Sequence, residues 1–131
     1  MEPQVEIINL VKSTVESGCD LPTVISLEGL SADGGLYVQF GEGYQEDIYY
    51  DKSRIIVLPI IFLCKDTSQI ICIEQLSKIC NFLQNMSEYP EMESAVWLDA
   101  QTVKEPNKLD IKEEPLCVYS CTVNIRIFNK K

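Results

Sequence analysis

Residues 55–63 form a run of nine without a polar side chain. That run constrains the chain more than any other stretch. It is too short to cross a membrane as a helix, which takes about 20 apolar residues. Isoleucine and valine dominate it, so a strand is favoured over a helix. The run breaks near Asp66, and an amphipathic pattern follows as far as Met86. A short apolar run and then a capped helix reads as a strand buried on both faces, with the helix folding back over it. Pro59 stands in the middle of the strand and cannot donate to a ladder, so the expectation is an edge strand or a bulge there. An edge strand apolar on both faces needs a cover, which points to a partner.

Asp66 is the expected cap of the helix, with Gln69 reciprocating. Ile73, Leu76, Cys80 and Leu83 fall on one face, flanked by Ile70, Ile79 and Met86. Gln75, Lys78, Asn81 and Gln84 fall largely on the other. Pro90 ends the element, since the residue before a proline avoids the helical region.

Upstream, residues 3–17 read as a first helix with Pro3 in its first turn. Its apolar side is Ile7, Ile8, Leu10, Val11 and Val15, and Gly18 is the expected stop. Residues 24–27 suit a short strand or an extended lead-in. Residues 33–35 mark a turn. Leu36, Val38 and Phe40 alternate with Tyr37 and Gln39 as a half-buried strand. Residues 41–43 interrupt it, and residues 44–50 suit either a loop or the outer part of a hairpin. Downstream, residues 95–100 alternate as a strand, with Trp97 a partly buried sheet residue. Residues 101–115, rich in charge and containing two prolines, read as a long exposed connection. The last strand, residues 117–127, puts Cys117, Tyr119, Cys121, Val123, Ile125 and Ile127 on one face and should be central and antiparallel. The expected class is α+β: a mixed, mainly antiparallel sheet of four to five strands packed on two helices. At 131 residues, one domain over residues 1–131 is the natural expectation.

Twenty acidic residues against eleven basic ones give a formal charge of −9. Sequence-independent nucleic-acid binding needs a cationic surface, and the basic residues here are scattered. Acidity can serve solubility alone, can form a wall that nucleic acid passes without sticking, or can mimic nucleic acid toward a basic partner. The six cysteines are expected to be reduced core residues, because no apolar signal segment stands near Met1. No pair is spaced by two residues and the chain has no histidine, so no metal site or cofactor is expected. Histidine is also the commonest general base. Glu42 with Glu46 or Asp47, and Glu113 with Glu114, could pair as acid and base. Polar loops usually leave such carboxylates solvated, and an enzyme is not expected. Tyr37, Tyr44, Tyr49 and Tyr50 suit a protein interface or a cover for the sheet's open face in equal measure. The candidate interaction surface is Glu42, Tyr44, Glu46, Asp47, Tyr49, Tyr50, Pro59, Asp110, Glu113 and Glu114.

Residues 34–83 resemble a family of minor capsid and tail-terminator-like proteins from long-tailed phages and prophages of Gram-positive bacteria. The matching features are Gly34-Gly35 with the alternating strand, Gly43-Tyr44 and its acidic patch, and Tyr49-Tyr50-Asp51. Leu58-Pro59, Lys65 and Asn81-Phe82-Leu83 follow. Tyr119-Ser120-Cys121 and Asn124-Ile125-Arg126 resemble the family's last strand. Ile60 departs from the aromatic residue often found after the proline, and residues 99–114 have no firm counterpart. The resemblance implies a small α+β virion protein assembled in the bacterial host cytoplasm. It implies a ring of copies, usually six-fold, that caps the tail tube and meets the head connector. The tail-tube protein, the connector and further copies are then the partners, and DNA only a passing strand.

Overall fold

The computed structural model describes residues 2–19, 21, 25–27, 34–109 and 116–129. Asp110, Glu113 and Glu114 of the candidate surface lie outside them. In chain order the elements are α1 (Pro3–Gly18), β1 (Ile25–Ser26), β2 (Gly35–Phe40), β3 (Tyr44–Ile48), β4 (Arg54–Asp66), α2 (Gln69–Gln84), β5 (Val96–Lys108) and β6 (Cys117–Asn129). The class is α+β, as expected. The sheet has six strands rather than four to five, in the order β1-β2-β4-β6-β5, with β3 also paired to β4. Only β1 and β2 run parallel.

The apolar run lies inside β4, and β4 is not at an edge. It pairs with β6 along its whole length, Arg54↔Asn129 to Asp66↔Cys117. Its other flank is shared by two strands, β2 opposite residues 60–65 and β3 opposite residues 54–57. The changeover comes at residues 41–43, beside Pro59. Gly41 N–H donates to the Pro59 carbonyl at 2.8 Å. In an antiparallel strand a residue's N–H and C=O point the same way. The donor missing from Pro59 therefore faces the step between β2 and β3, not the continuous ladder with β6. A proline is tolerated in a central strand because the neighbouring ladder is already interrupted there. The step is tight: a Cβ on Gly43 would lie 2.8 Å from the Val57 carbonyl oxygen.

Residues of one sheet face, Ile56, Leu58, Ile60, Phe62 and Cys64 of β4 with Tyr119, Cys121, Val123, Ile125 and Ile127 of β6, form the core with both helices. α1 contributes Ile7, Val11 and Val15, with Ile8 and Leu10 partly buried. Each fully buried aliphatic side chain contributes about 1.5–3 kcal/mol relative to exposure. Gly18 is the last residue of α1 and ends it without a left-handed turn: Cys19 is extended, and its N–H returns to Val15 at 2.8 Å. Gly18 matters for space instead, since a Cβ there would lie 2.1 Å from Phe82 Cζ.

α2 buries Leu76, Ile79, Cys80 and Leu83 as expected, but its first turns bury Cys72 and Gln75 in place of Ile70 and Ile73. Ile73 is 39 % exposed and Ile70 is exposed as well. With isoleucine at 70, 71 and 73, periodicity supplies two overlapping apolar faces, and contact with β4, β5 and β6 selects between them. The cap is Ser68, whose hydroxyl accepts from Ile71 N–H, rather than Asp66. Asp66 accepts from Ser68 N–H at 2.9 Å and shapes the turn before the helix. Gln69 accepts from the Tyr119 hydroxyl at 2.8 Å.

Residues 101–108 are strand, not connection: β5 continues to Lys108 along β6. Two register shifts interrupt this half of the edge strand, and Lys104, Pro106 and Lys108 give it the composition of a loop. Trp97 is more deeply buried than expected. Its Nε1–H donates to Asp99 O at 3.1 Å, and its ring lies 4.7 Å from that of Tyr89. All six cysteines are free thiols.

Candidate functional site

With β4 paired on both flanks, the apolar ribbon needs no partner at an edge, and on the face away from the helices Ile55, Pro59, Ile61 and Leu63 stay half-buried. The exposed chemistry lies instead on β3 and the turn after it. Every residue from 42 to 52 is exposed. This run holds Glu42, Tyr44, Glu46, Asp47, Tyr49 and Tyr50 together on the outer strand of a long hairpin with β4. Pro59, half buried in the middle of β4, stands apart from them.

The hairpin turn is held locally. Tyr49 N–H donates to Ser53 O at 2.8 Å and Lys52 N–H to Tyr49 O at 3.0 Å. Asp51 accepts from the Ser53 hydroxyl at 2.5 Å and from its N–H at 3.0 Å. Those bonds, the hydroxyl's first, hold the Asp51 carboxyl below its ordinary value. Lys52 takes the left-handed conformation, φ 74°. Tyr49 packs against Phe128 with ring centroids 6.1 Å apart. A hollow of about 480 Å³ lies between Tyr49, Tyr50, Asp51, Ser53 and Phe128.

The sheet face opposite the helices carries a charge network that sequence reasoning missed. Arg126 sits between Asp99 of β5 and Val57 of β4 in register. Its Nε donates to both Asp99 oxygens, at 2.9 and 3.1 Å, and Nη2 to Oδ2 at 2.6 Å. Nη1 reaches past β4 to Glu46 of β3 at 2.7 Å. The Asp99 bonds first, and the Glu46 bond second, push the guanidinium still further up. Alternation in β6 had placed Arg126 away from the core, but its partners come from strands 27 and 80 residues distant in sequence.

Nearby, Arg54 donates to Gln45 at 2.8 Å. Among the described residues, no three His, Cys, Asp or Glu side chains gather as they would around a metal ion. Nor is any described helix long and apolar enough to cross a membrane.

No protein-family model matches the chain, and no curated protein matches it. Five chains of solved structures do. One is a chain from a structure described as the virion of a native gene transfer agent particle. The two superpose with a TM-score of 0.72 at 8% identity, over 96% of this chain and 97% of that one. At that identity the likeness is one of fold, and it runs through nearly the full length of both chains.

Proposed function

We propose that the chain, acting as one domain over residues 1–131, is a structural protein of a phage-like virion, of the tail-terminator or minor-capsid kind. Copies form a ring that caps the tail tube and joins it to the head connector, within a virion assembled in the host cytoplasm. The observation that carries this reading is the fold shared almost end to end with a chain from a virion particle. The exposed Tyr-rich, acidic β3 hairpin supports it, since aromatic residues beside polar groups suit contacts between proteins. A net charge of −9 suits a channel that DNA traverses without capture. The chain does no bond-making chemistry in this role.

The test is to mix the purified chain with the tail-tube protein of its own virion and image the product by negative-stain electron microscopy. Rings seated on tube ends, and tubes that stop lengthening, are expected. Tubes that stay bare and keep growing, with the chain monomeric by light scattering, would overturn the proposal.

A further inference from the structure

From residue 79 to residue 103 the chain has no lysine or arginine, and it carries Glu88, Glu91, Glu93 and Asp99. The middle of that run, residues 85–95, is the connection from α2 to β5. It is longer than most connections within a domain, yet it is fastened at both ends. The Tyr89 hydroxyl donates to Leu83 O at 2.8 Å, and the Tyr89 ring lies 4.7 Å from that of Trp97. The Glu6 carboxylate of α1 accepts from Glu93 N–H at 2.6 Å, from Ser94 N–H at 3.0 Å and from the Ser94 hydroxyl. Fastened in this way, the connection leaves apolar side chains open to solvent. Tyr89, Pro90 and Met92 are half-buried and Val96 is 44 % exposed. With Glu91 and Trp97 they wall a hollow of about 330 Å³. Hollows that take ligands begin at about 300 Å³, and walls that are already held need little ordering on binding.

The charge around the hollow chooses its occupant. Glu91 is exposed and belongs to the wall, and Glu88 and Glu93, exposed as well, flank it in the chain. Among the described residues none of these three carboxylates takes part in an ion pair. Arg126 lies one row along the sheet, since Phe128 faces Val96, but its nitrogens are taken by Asp99 and Glu46. Phosphate would be repelled here. A purely apolar side chain would cover Glu91 without supplying a counter-charge. A long cationic side chain answers both demands, its stem against Pro90, Met92 and Val96 and its charge beside Glu91. Arginine suits best, because its planar guanidinium stacks on aromatic faces and forks onto a carboxylate. We propose that this hollow is a docking site for an arginine side chain on an extended, basic segment of a partner protein. A second copy is disfavoured as that partner, because each copy carries a net charge of −9. The site lies on the connection from α2 to β5, apart from the β3 hairpin, and stands whether or not copies form a ring.

The probe is the peptide acetyl-Leu-Arg-Leu-amide, titrated into the nitrogen-15-labelled full chain and followed by NMR. The same peptide with citrulline, the neutral isostere of arginine, is the control. Trp97 is the chain's single tryptophan, and its indole N–H reports from the wall. Saturable shifts of that signal and of the amides of residues 91–97 are expected. The citrulline peptide, and the arginine peptide with Glu91→Gln, should each bind about five- to tenfold more weakly, as the loss of one charge-assisted contact implies. Glu91 is exposed, and circular dichroism checks that the variant keeps its fold. Absent shifts, or equal affinity for the two peptides, would overturn the proposal. Shifts spread over Glu42, Glu46 and Asp47 instead would mean general charge attraction and would overturn it too. Signals of residues 91–97 that move when the chain is diluted without peptide would show that a second copy fills the hollow, and would also overturn it. Each of these results leaves the tube-capping test untouched.

Discussion

Arg126 and Asp99 face each other across β6 and β5 in a forked pair, with Nε and Nη2 of the guanidinium both directed at the carboxylate. The third nitrogen of the same side chain holds Glu46 on β3. One residue thus ties both outer strands of this half of the sheet to its centre.

Arg126→Ala should therefore loosen β3 more than it destabilises the fold. The two side chains are 37 % and 40 % exposed, so solvent screening holds the loss to about 1 kcal/mol or less. Urea denaturation should show that small shift. Amide exchange of residues 44–48 should quicken, while that of residues 118–125 stays slow. Unchanged exchange in β3 would mean that Arg126 does not restrain it.

Gly18→Ala tests the contact between the helices. A Cβ there would meet the Phe82 ring, and forcing an atom into a packed contact costs about 1–3 kcal/mol. Thermal melting should show the loss, and adding Phe82→Leu should recover part of it. A stable Gly18→Ala chain would mean that the Phe82 ring swings aside without loss, since only its far end meets the new Cβ.

Acid should weaken the fold, and the sign follows from three carboxylates. The Ser94 hydroxyl, then the N–H groups of Glu93 and Ser94, lower Glu6 below its ordinary 4.5. Burial alone would raise Glu16, but bonds from Lys12 and Ile25 N–H outweigh it and the net shift is downward. Asp51 lies below its ordinary 3.8. A lowered folded value gives stability that is present above the unfolded value and is lost as pH falls through the folded one. Denaturation midpoints should hold at neutral pH and drop from about pH 4.5 downward. In Glu6→Gln that drop should be smaller.

The Cys64, Cys72 and Cys121 thiols should be inert while the chain is folded. Burial pushes Cys64 up to about 11, and Cys72 higher still. Cys121 is raised first by the adjacent Cys80 sulfur and then by burial. The thiolate is the reactive form. Brief alkylation at pH 7.5, read by peptide mass spectrometry, should spare these three and modify them fully in urea. Rapid native labelling of Cys121 would show that α2 lifts readily from β6.

Alternation and apolar runs were enough to find β2, β4, β6, α1 and α2, because backbone geometry imposes those periods on any strand or helix with one buried side. The same reading left residues 44–50 as either a loop or the outer part of a hairpin, and the pairing of β3 with β4 decided for the hairpin. Local pattern could not say which strand sits beside which. Proline 59 looked like an edge marker, and only the arrival of both β2 and β3 on one flank of β4 made a central strand able to carry it. Residues 101–108 looked like a loop, because a guarded edge strand and a loop share a composition. The isoleucines at 70, 71 and 73 left the buried face of α2 open until the sheet chose it. Arg126 found Asp99 and Glu46 through strand order alone, since hydrogen bonding between distant strands leaves no periodic trace in the chain.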